Sequence, residues 1–504
     1  ASVSLQSVIE VSDLRLDEQG RQVLRALSVF PAKPNSFSEE AALAVSASPA
    51  NILDTLCDTG LLESKGWGRY TLHQTIADYA RTHLTDIRPY QRLATYFADF
   101  AQTNEKDYDA LELEMVNFFA ALDAAMEHGP QTAMVHGIVA AFSFLDARGL
   151  YGEQTETYLK RAEGVARSLQ DVTGLAAILL NLGRVDVKRG HYTQAEVYLQ
   201  EGLNLARQTG NSEQMCHLLT HLGGVNIRRG AYAEAEASLQ EGLRLARQIE
   251  NYEHIGRLLT NLGWSAHVQG KYAQAKAFYE EGLAAASQIN DQEKMLLLQS
   301  NLGVVAADQG NLDLAKTFYE QALVLARRIG HRERIGLMLN NLGATAMDQG
   351  LYDQAEDYLQ QGLAVTRPIG DSDQVSMLLN NLGETDTARG NYDQAEVYFK
   401  DSLAIARETG NAWHLNVALS GLGELYLKMQ KFDAAATLFH EMRERSVESN
   451  QKMLAISMYG LARIALAQGN IAEARQQGQE SLAIFVSMDD HRVAEVRQWL
   501  QNLT

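Results

Sequence analysis

The residues best placed to do binding chemistry stand in a column. Asn181, His221, Asn261, Asn301, Asn341 and Asn381 recur at a spacing of 40 residues. Asparagine is a poor residue for the middle of a helix, so its return needs a use. Its amide combines donors with an acceptor, and a ladder of amides can hydrogen-bond an extended peptide backbone. Two alternatives stay open: each amide bonds the adjacent repeat, or it faces water. Along the same helical stripe the residue types change. The 184 column reads Arg184, Gly224, Trp264, Val304, Ala344, Glu384, Glu424, and the 188 column reads Lys188, Arg228, Val268, Asp308, Asp348, Ala388, Lys428. Arg257 stands in the neighbouring 177 column. The stripe is therefore basic at its start, apolar around Trp264 and acidic beyond. A tryptophan facing a groove is a common ligand anchor. The effector surface predicted on these grounds is Asn181, Arg184, His221, Arg228, Arg257, Asn261, Trp264, Asn301, Asn341 and Asn381.

No catalytic constellation accompanies this column. The sequence has no nucleophile elbow, no metal-spaced set of His or Cys, and no isolated carboxylate pair. The expectation is a protein that binds rather than turns over, with no metal site and no cofactor in this chain.

The elements that must position the column are helices. Between Asp171 and Gly210, Leu175, Ile178, Leu179 and Leu182 recur at helical spacing and define an amphipathic helix. Gly190 breaks it. A second helix follows, with Tyr192, Ala195, Leu199, Leu203 and Ala206 on one face, and it ends at Arg207 and Gly210-Asn211, a cation suiting the negative helix end. The pattern repeats every 40 residues through Gly410, and Leu182-Gly183 returns as Leu222-Gly223, Leu262-Gly263, Leu302-Gly303, Leu342-Gly343, Leu382-Gly383 and Leu422-Gly423. A mid-helix glycine costs roughly 1 kcal/mol against alanine. Close approach of a neighbouring helix explains its return, and the small Ala195 and Gly202 columns fit that. One helix pair cannot bury its apolar face alone, so the units must stack.

These columns resemble the tetratricopeptide repeat (TPR). The Leu-Gly of the first helix, the Gly190-x-Tyr192 turn, the Ala195 column and the aromatic or leucine at 199, 239, 279, 319, 359 and 399 all match. Two features depart: the unit is 40 residues, longer than the usual ~34, and Arg207 stands where proline is common. The resemblance implies an all-α, right-handed α-solenoid (superhelix) whose groove is lined by the first helices.

The chain has 504 residues, enough for several domains, and its 46% hydrophobic content with only 6 prolines suits helices. A net charge of −19 argues against nucleic acid or anionic lipid as the main partner. Cys57 and Cys216 form no ligand motif, and a reducing cytoplasm is the default reading. No apolar run reaches membrane-spanning length. The sequence begins at Ala1 without methionine, and a fragment of a longer protein is expected.

Taken in order, residues 1–12 read as a linker. Residues 13–84 read as helices over Asp17–Leu27, Ser38–Val45 and Pro49–Asp58, two extended pieces at Leu61–Ser64 and Arg69–Leu72, and a helix over His73–Leu84. Three helices and a short β-wing make a winged-helix domain. Residues 85–132 form a helical arm. The repeat array spans 133–488: a degenerate unit at 133–170 around Arg148-Gly149-Leu150-Tyr151, the regular units at 171–410, and divergent units at 411–450 and 451–488. Residues 489–504 form a capping helix, with Trp499 and Leu500 covering the last apolar face.

A second resemblance lies in the first domain. Leu27-Ser28-Val29-Phe30, Gly60-Leu61-Leu62 and Arg69-Tyr70-Thr71-Leu72-His73-Gln74-x-Ile76-x-x-Tyr79-Ala80 look like the winged helix of bacterial STAND signalling ATPases of the NB-ARC type. In that family a Met-His-Asp motif opens the helix after the wing, and its histidine reads the phosphates of bound ADP. His73 falls on that position, with Leu72 for Met and Gln74 for Asp. Leu111-Glu112-Leu113-Glu114-x-x-Asn117-Phe118 resembles the arm joining winged helix to repeats. The resemblance implies the autoinhibitory sensor region of such an ATPase. An effector (protein, peptide or small molecule) binds the TPR groove and controls an N-terminal ATPase domain carrying ATP or ADP with Mg, and the whole protein oligomerises on activation. No G-x-x-x-x-G-K-[ST] occurs in the chain, so that domain would precede Ala1. Two other functions fit: a stand-alone TPR interaction scaffold, and a transcription regulator whose winged helix reads DNA.

Overall fold

The computed structural model describes residues 5–150, 152–446, 450–488 and 490–503. Internal contacts divide the chain into two compact units, Ala1–Asn261 and Leu262–Thr504.

Unit one opens with α1 (Leu5–Leu14) and α2 (Glu18–Leu27), then β1 (Phe37–Ser38), α3 (Glu39–Ser46), α4 (Asn51–Asp58), β2 (Glu63–Gly66), β3 (Arg69–Thr71) and α5 (Gln74–Thr82). The helices start where capping side chains dictate. Asp17 Oδ1 accepts the Gly20 N–H at 2.7 Å and Ser38 Oγ accepts the Ala41 N–H at 3.1 Å. The strands form one antiparallel sheet in the order β1-β3-β2, with Phe37 opposite Tyr70 and Glu63 opposite Thr71. The strand β1 was not expected: two residues are too few to show alternation.

The expected linker over residues 1–12 is corrected. Residues 5–14 are the helix α1, Ile9 is buried, and the Tyr79 hydroxyl donates to Asp13 Oδ2 at 3.3 Å. A helix of 10 residues is too short for an apolar period to repeat clearly, so its sequence signal is faint. Residues 1–4 lie outside the described residues.

The unit continues through α6 (Arg88–Thr103), α7 (Tyr108–His128), α8 (Gln131–Ala147), α9 (Glu153–Leu169), α10 (Val172–Lys188), α11 (Tyr192–Thr209), α12 (Ser212–Arg228), α13 (Tyr232–Gln248) and the start of α14 (Tyr252–Val268). One hydrophobic cluster runs from Ile9 through Phe30, Phe37, Phe97, Phe118 and Phe142 to Val185. Phe30 stacks on Phe37 with ring centroids 4.1 Å apart and meets Phe97 edge-on at 6.4 Å. The apolar core is thus unbroken at residues 84 and 132, where domain edges were expected. Tyr151 of the degenerate unit lies outside the described residues.

Unit two carries α15 (Tyr272–Gln288), α16 (Gln292–Asp308), α17 (Leu312–Ile329), α18 (Arg332–Asp348), α19 (Tyr352–Thr366), a 3-10 turn (Arg367–Ile369), α20 (Ser372–Arg389), α21 (Tyr392–Thr409), α22 (Ala412–Lys428), α23 (Phe432–Ser446), α24 (Gln451–Ala467), α25 (Ile471–Ser487) and α26 (Val493–Gln501). Helix α26 sets Trp499 edge-on to Tyr459 at 5.4 Å and buries Val496. Asp489 and Thr504, the ends of the expected capping helix, lie outside the described residues. Among the described residues no helix is long and apolar enough to cross a membrane.

The Leu-Gly signature has a steric cause. A Cβ on Gly223 would lie 2.4 Å from Leu239 Cγ, and one on Gly303 would lie 2.5 Å from Tyr319 Cε1. In each unit the 199-column side chain of the second helix occupies the space that a side chain on the first helix would need. The turn glycine has a different cause: Gly190 adopts φ +79°, a region other residues enter at a cost.

Most first helices also begin with a side-chain cap. Asp171 Oδ1 accepts the Gly174 N–H at 2.8 Å and Asn211 Oδ1 that of Gln214 at 3.0 Å. In unit two Asp291 and Asp371 do the same for Lys294 and Gln374, at 2.9 and 3.0 Å. At α18 the cap position is His331, whose side chain makes no capping bond.

Candidate functional site

The first helices of consecutive repeats pack side by side, α8 on α10 on α12 in unit one and α18 on α20 on α22 on α24 in unit two. Second helices of neighbouring repeats approach each other less closely. Within each stack the first helices therefore line the inner face, and the 177, 181, 184 and 188 columns lie there.

In unit one this inner face is basic. Arg184 Nη2 lies 2.6 Å from Asp146 Oδ2, its guanidinium stands 4.7 Å over the Phe142 ring, and Lys188 Nζ is 3.7 Å from the same carboxylate. On α12, His217 and His221 stand one turn apart. Burial pushes the His217 imidazole down to about 3, helped by His254, Arg257 and Arg184. Burial also holds His221 well below its ordinary value, with Arg184 and Arg257 next in effect. Both residues are half-buried, and the surrounding protein crowds out most of the hydration of their rings, which is what disfavours the charged form. Arg257 follows on α14, 3.8 Å from Glu253, and the loss of hydration lowers its own proton affinity. Arg228 is exposed at the end of α12.

Two amides of the column bond the preceding repeat. Asn261 Nδ2 donates to Thr220 O of the preceding repeat at 3.2 Å, and Asn381 Nδ2 donates to Asn340 Oδ1 at 2.8 Å. Asn181 is buried, while Asn301 and Asn341 are half-buried. The amides of Asn261 and Asn381 thus fasten one first helix to the one before it. These donors are committed to the scaffold instead of being presented as a ladder for a peptide.

Unit two presents the acidic part of the stripe. Asn380 Nδ2 donates to Glu384 Oε1 at 2.8 Å; loss of hydration raises the Glu384 carboxyl, and Asp348 adds to the rise. Glu424 is taken up by Arg463 Nη1 at 2.8 Å. A cleft of about 440 Å³ opens here, lined among others by Glu384, Phe399, Val417, Lys428 and Met453. Trp264 is half-buried on the part of α14 that belongs to this unit.

His73 is the N-cap of α5. Its Nδ1 accepts the Thr75 N–H at 3.3 Å and lies 2.9 Å from Thr75 Oγ1. An accepting Nδ1 leaves Nε2–H as the ring's donor, and the side chain is exposed.

One constellation escaped the sequence reading. Glu213, His217 and His254 converge, each offering one ligand atom, with these atoms all within 4.8 Å of one another. The pair Glu213 and His217 is visible as an i, i+4 spacing, but His254 comes from the next repeat, and nothing in the sequence joins it to them.

Comparison with known proteins accords with this architecture. Two family profiles, each described as tetratricopeptide repeat, match the chain, one over residues 214–288, 334–408 and 414–485 and the other over 175–209 and 296–329. A search of the curated proteins finds no match. Among solved structures, a signal transduction ATPase with numerous domains (STAND) with a tetratricopeptide repeat sensor, from Pyrococcus horikoshii, is similar over 99% of this chain and 68% of its own, at 15% identity and a TM-score of 0.59. The apo form of RapI is similar over 79% of this chain and 98% of its own, at 12% identity and a TM-score of 0.51. The apo quorum sensor NprR from B. thuringiensis is similar over 70% of this chain and 98% of its own, at 14% identity and a TM-score of 0.50.

Proposed function

This chain belongs to the tetratricopeptide-repeat proteins, and from that premise we propose that it is the sensor region of a STAND-type signalling ATPase. The inner face of unit one receives an effector bearing a carboxylate or phosphate. The observation that carries this reading is the pair Arg184 and Arg257 on one partly dehydrated face, with the neutral imidazoles of His217 and His221 beside them, where an anion gains more from the two cations than it does at an exposed surface. The likeness in fold to a STAND protein described as having a tetratricopeptide repeat sensor supports the assignment.

In this reading residues 13–84 are a winged helix and residues 85–132 the arm. An ATPase domain preceding Ala1 carries ATP or ADP with Mg, and the exposed Nε2–H of His73 donates to a phosphate of the resting nucleotide. Effector binding shifts the balance between resting and active forms only through a difference in affinity for the two. Activation then leads to oligomerisation in the cytoplasm.

The test has two parts. Acidic peptides and carboxylate- or phosphate-bearing metabolites are screened against the chain by calorimetry. A ligand is expected whose affinity falls at least tenfold in Arg257→Ala. In the protein that includes the segment before Ala1, His73→Ala is expected to release ADP faster. If that segment encodes no phosphate-binding loop, the STAND reading fails and the interaction scaffold replaces it.

A further inference from the structure

We propose that Glu213, His217 and His254 form a binding site for a divalent transition-metal ion, with Zn2+ the natural occupant. The three come from two elements: Glu213 and His217 face the same way one turn apart on α12, and His254 stands in the first turn of α14. Their ligand atoms all lie within 4.8 Å of one another. The two imidazole rings meet edge-to-face with centroids 4.4 Å apart. In a tetrahedral site with metal–ligand bonds of about 2.0–2.1 Å the donor atoms sit about 3.3 Å apart. Small side-chain rotations therefore close the set around one ion, with no movement of either helix.

A second observation points to a ligand. His254 is only 2% exposed, and its Nδ1 has no hydrogen-bond partner. A buried ring nitrogen left unsatisfied costs free energy, and a structure that keeps one generally has a use for it. The donor set is also chemically apt. Two neutral imidazoles and one carboxylate are the ligands of an open zinc site, with water in the fourth position, and imidazole favours Zn, Ni and Cu over Mg or Ca. Burial holds both histidines in the neutral form that binds metal.

The surroundings set the cost. Arg257 and the N-terminal turns of two helices oppose a cation. Glu213 supplies one negative charge as a ligand, and Glu253, 3.8 Å from Arg257, offsets much of that guanidinium. Electrostatic opposition of this kind lowers affinity; it does not displace three inner-sphere bonds.

The experiment uses the tag-free 504-residue chain, stripped with a chelator and dialysed metal-free. Zn2+ is titrated by calorimetry and Co2+ by visible absorption. One equivalent is expected to bind with saturation, and bound Co2+ is expected to show the intense bands of low coordination number. His217→Ala and Glu213→Gln are expected to weaken binding by more than the roughly tenfold typical of losing an outer hydrogen-bond partner. His440→Ala, an exposed histidine elsewhere, is expected to bind as the parent does. Because His254 is buried, its alanine variant is read only alongside far-UV circular dichroism. Absence of saturable Zn2+ binding, or binding unchanged in a helical His217→Ala/Glu213→Gln double variant, overturns the proposal. Neither outcome touches the effector reading, which is tested without metal.

Discussion

Arg69 and Glu114 form a buried ion pair, Nη1 to Oε1 at 2.5 Å, with the two side chains 16% and 5% exposed. The pair joins β3 to α7 and is closed by its neighbours. Asn117 Nδ2 donates to Glu114 Oε2 at 2.6 Å and to Ser36 O at 2.8 Å, while Arg69 Nη2 donates to the same Ser36 carbonyl at 2.9 Å. Removing one partner strands a buried charge, at a cost of about 3–5 kcal/mol. Glu114→Ala is expected to lower stability in urea by that order. A loss under 1 kcal/mol would mean that water replaces the carboxylate and that the network is not closed.

The glycine of the Leu-Gly pair is expected to resist the substitution that helix propensity favours. Gly303→Ala gains about 1 kcal/mol of intrinsic propensity but drives its Cβ into the Tyr319 ring, 2.5 Å away. Overpacking of this kind costs typically 1–3 kcal/mol, so a net loss of about 1 kcal/mol is expected. The double variant Gly303→Ala/Tyr319→Ala, which removes the ring, tests the cause: the two changes together should cost less than the sum of each alone. Strict additivity would place the strain elsewhere.

Acid is expected to destabilise the metal-free protein before its carboxylates titrate. His217, His221 and His254 all have folded-state proton affinity depressed, His217 to about 3. The unfolded chain takes up protons below its ordinary histidine value of about 6.5, and the native state does not. Stability is therefore full above pH ~6.5 and falls as the pH drops from there toward 3, by about 1 kcal/mol per pH unit for His217 alone. The groups facing these rings are Arg184, Arg257, Glu213 and Glu253. Denaturation between pH 7 and 5 should show a slope that His217→Gln reduces. An equal slope in the variant would return the ring to a hydrated environment.

Burial and reactivity should agree at the cysteines. Burial pushes the Cys216 thiol up to about 11, and Cys57 is raised by burial together with Asp54 and Asp58. The thiolate is the reactive species, so Cys216 should react with a thiol reagent at pH 8 only when the protein unfolds. Rapid labelling of the native protein would contradict the packing of α12 against Gly242, whose carbonyl accepts from Cys216 Sγ at 3.6 Å.

Repetition made the repeat fold legible in the chain, because seven copies of Leu-Gly separate packing needs from solvent-face accident. The same repetition left the role of Asn181 and its equivalents open. A fixed residue on a first helix can serve a ligand or the next helix, and periodicity alone does not separate the two. The hydrogen bonds of Asn261 and Asn381 do. Glu114 and Asn117 stood out as a motif, yet their partner Arg69 is 45 residues from Glu114, and a contact at that distance leaves no local trace. His254 escaped for the same reason.

The capped starts of the first helices bear on how this chain comes apart. Because most repeats carry their own stop and their own capped start, the backbone has natural seams, and opening at one seam need not propagate to the next. Hydrogen exchange should then report steps of whole helix pairs instead of a single global event. The seam at His331, which makes no capping bond, is where unit two would first let solvent in.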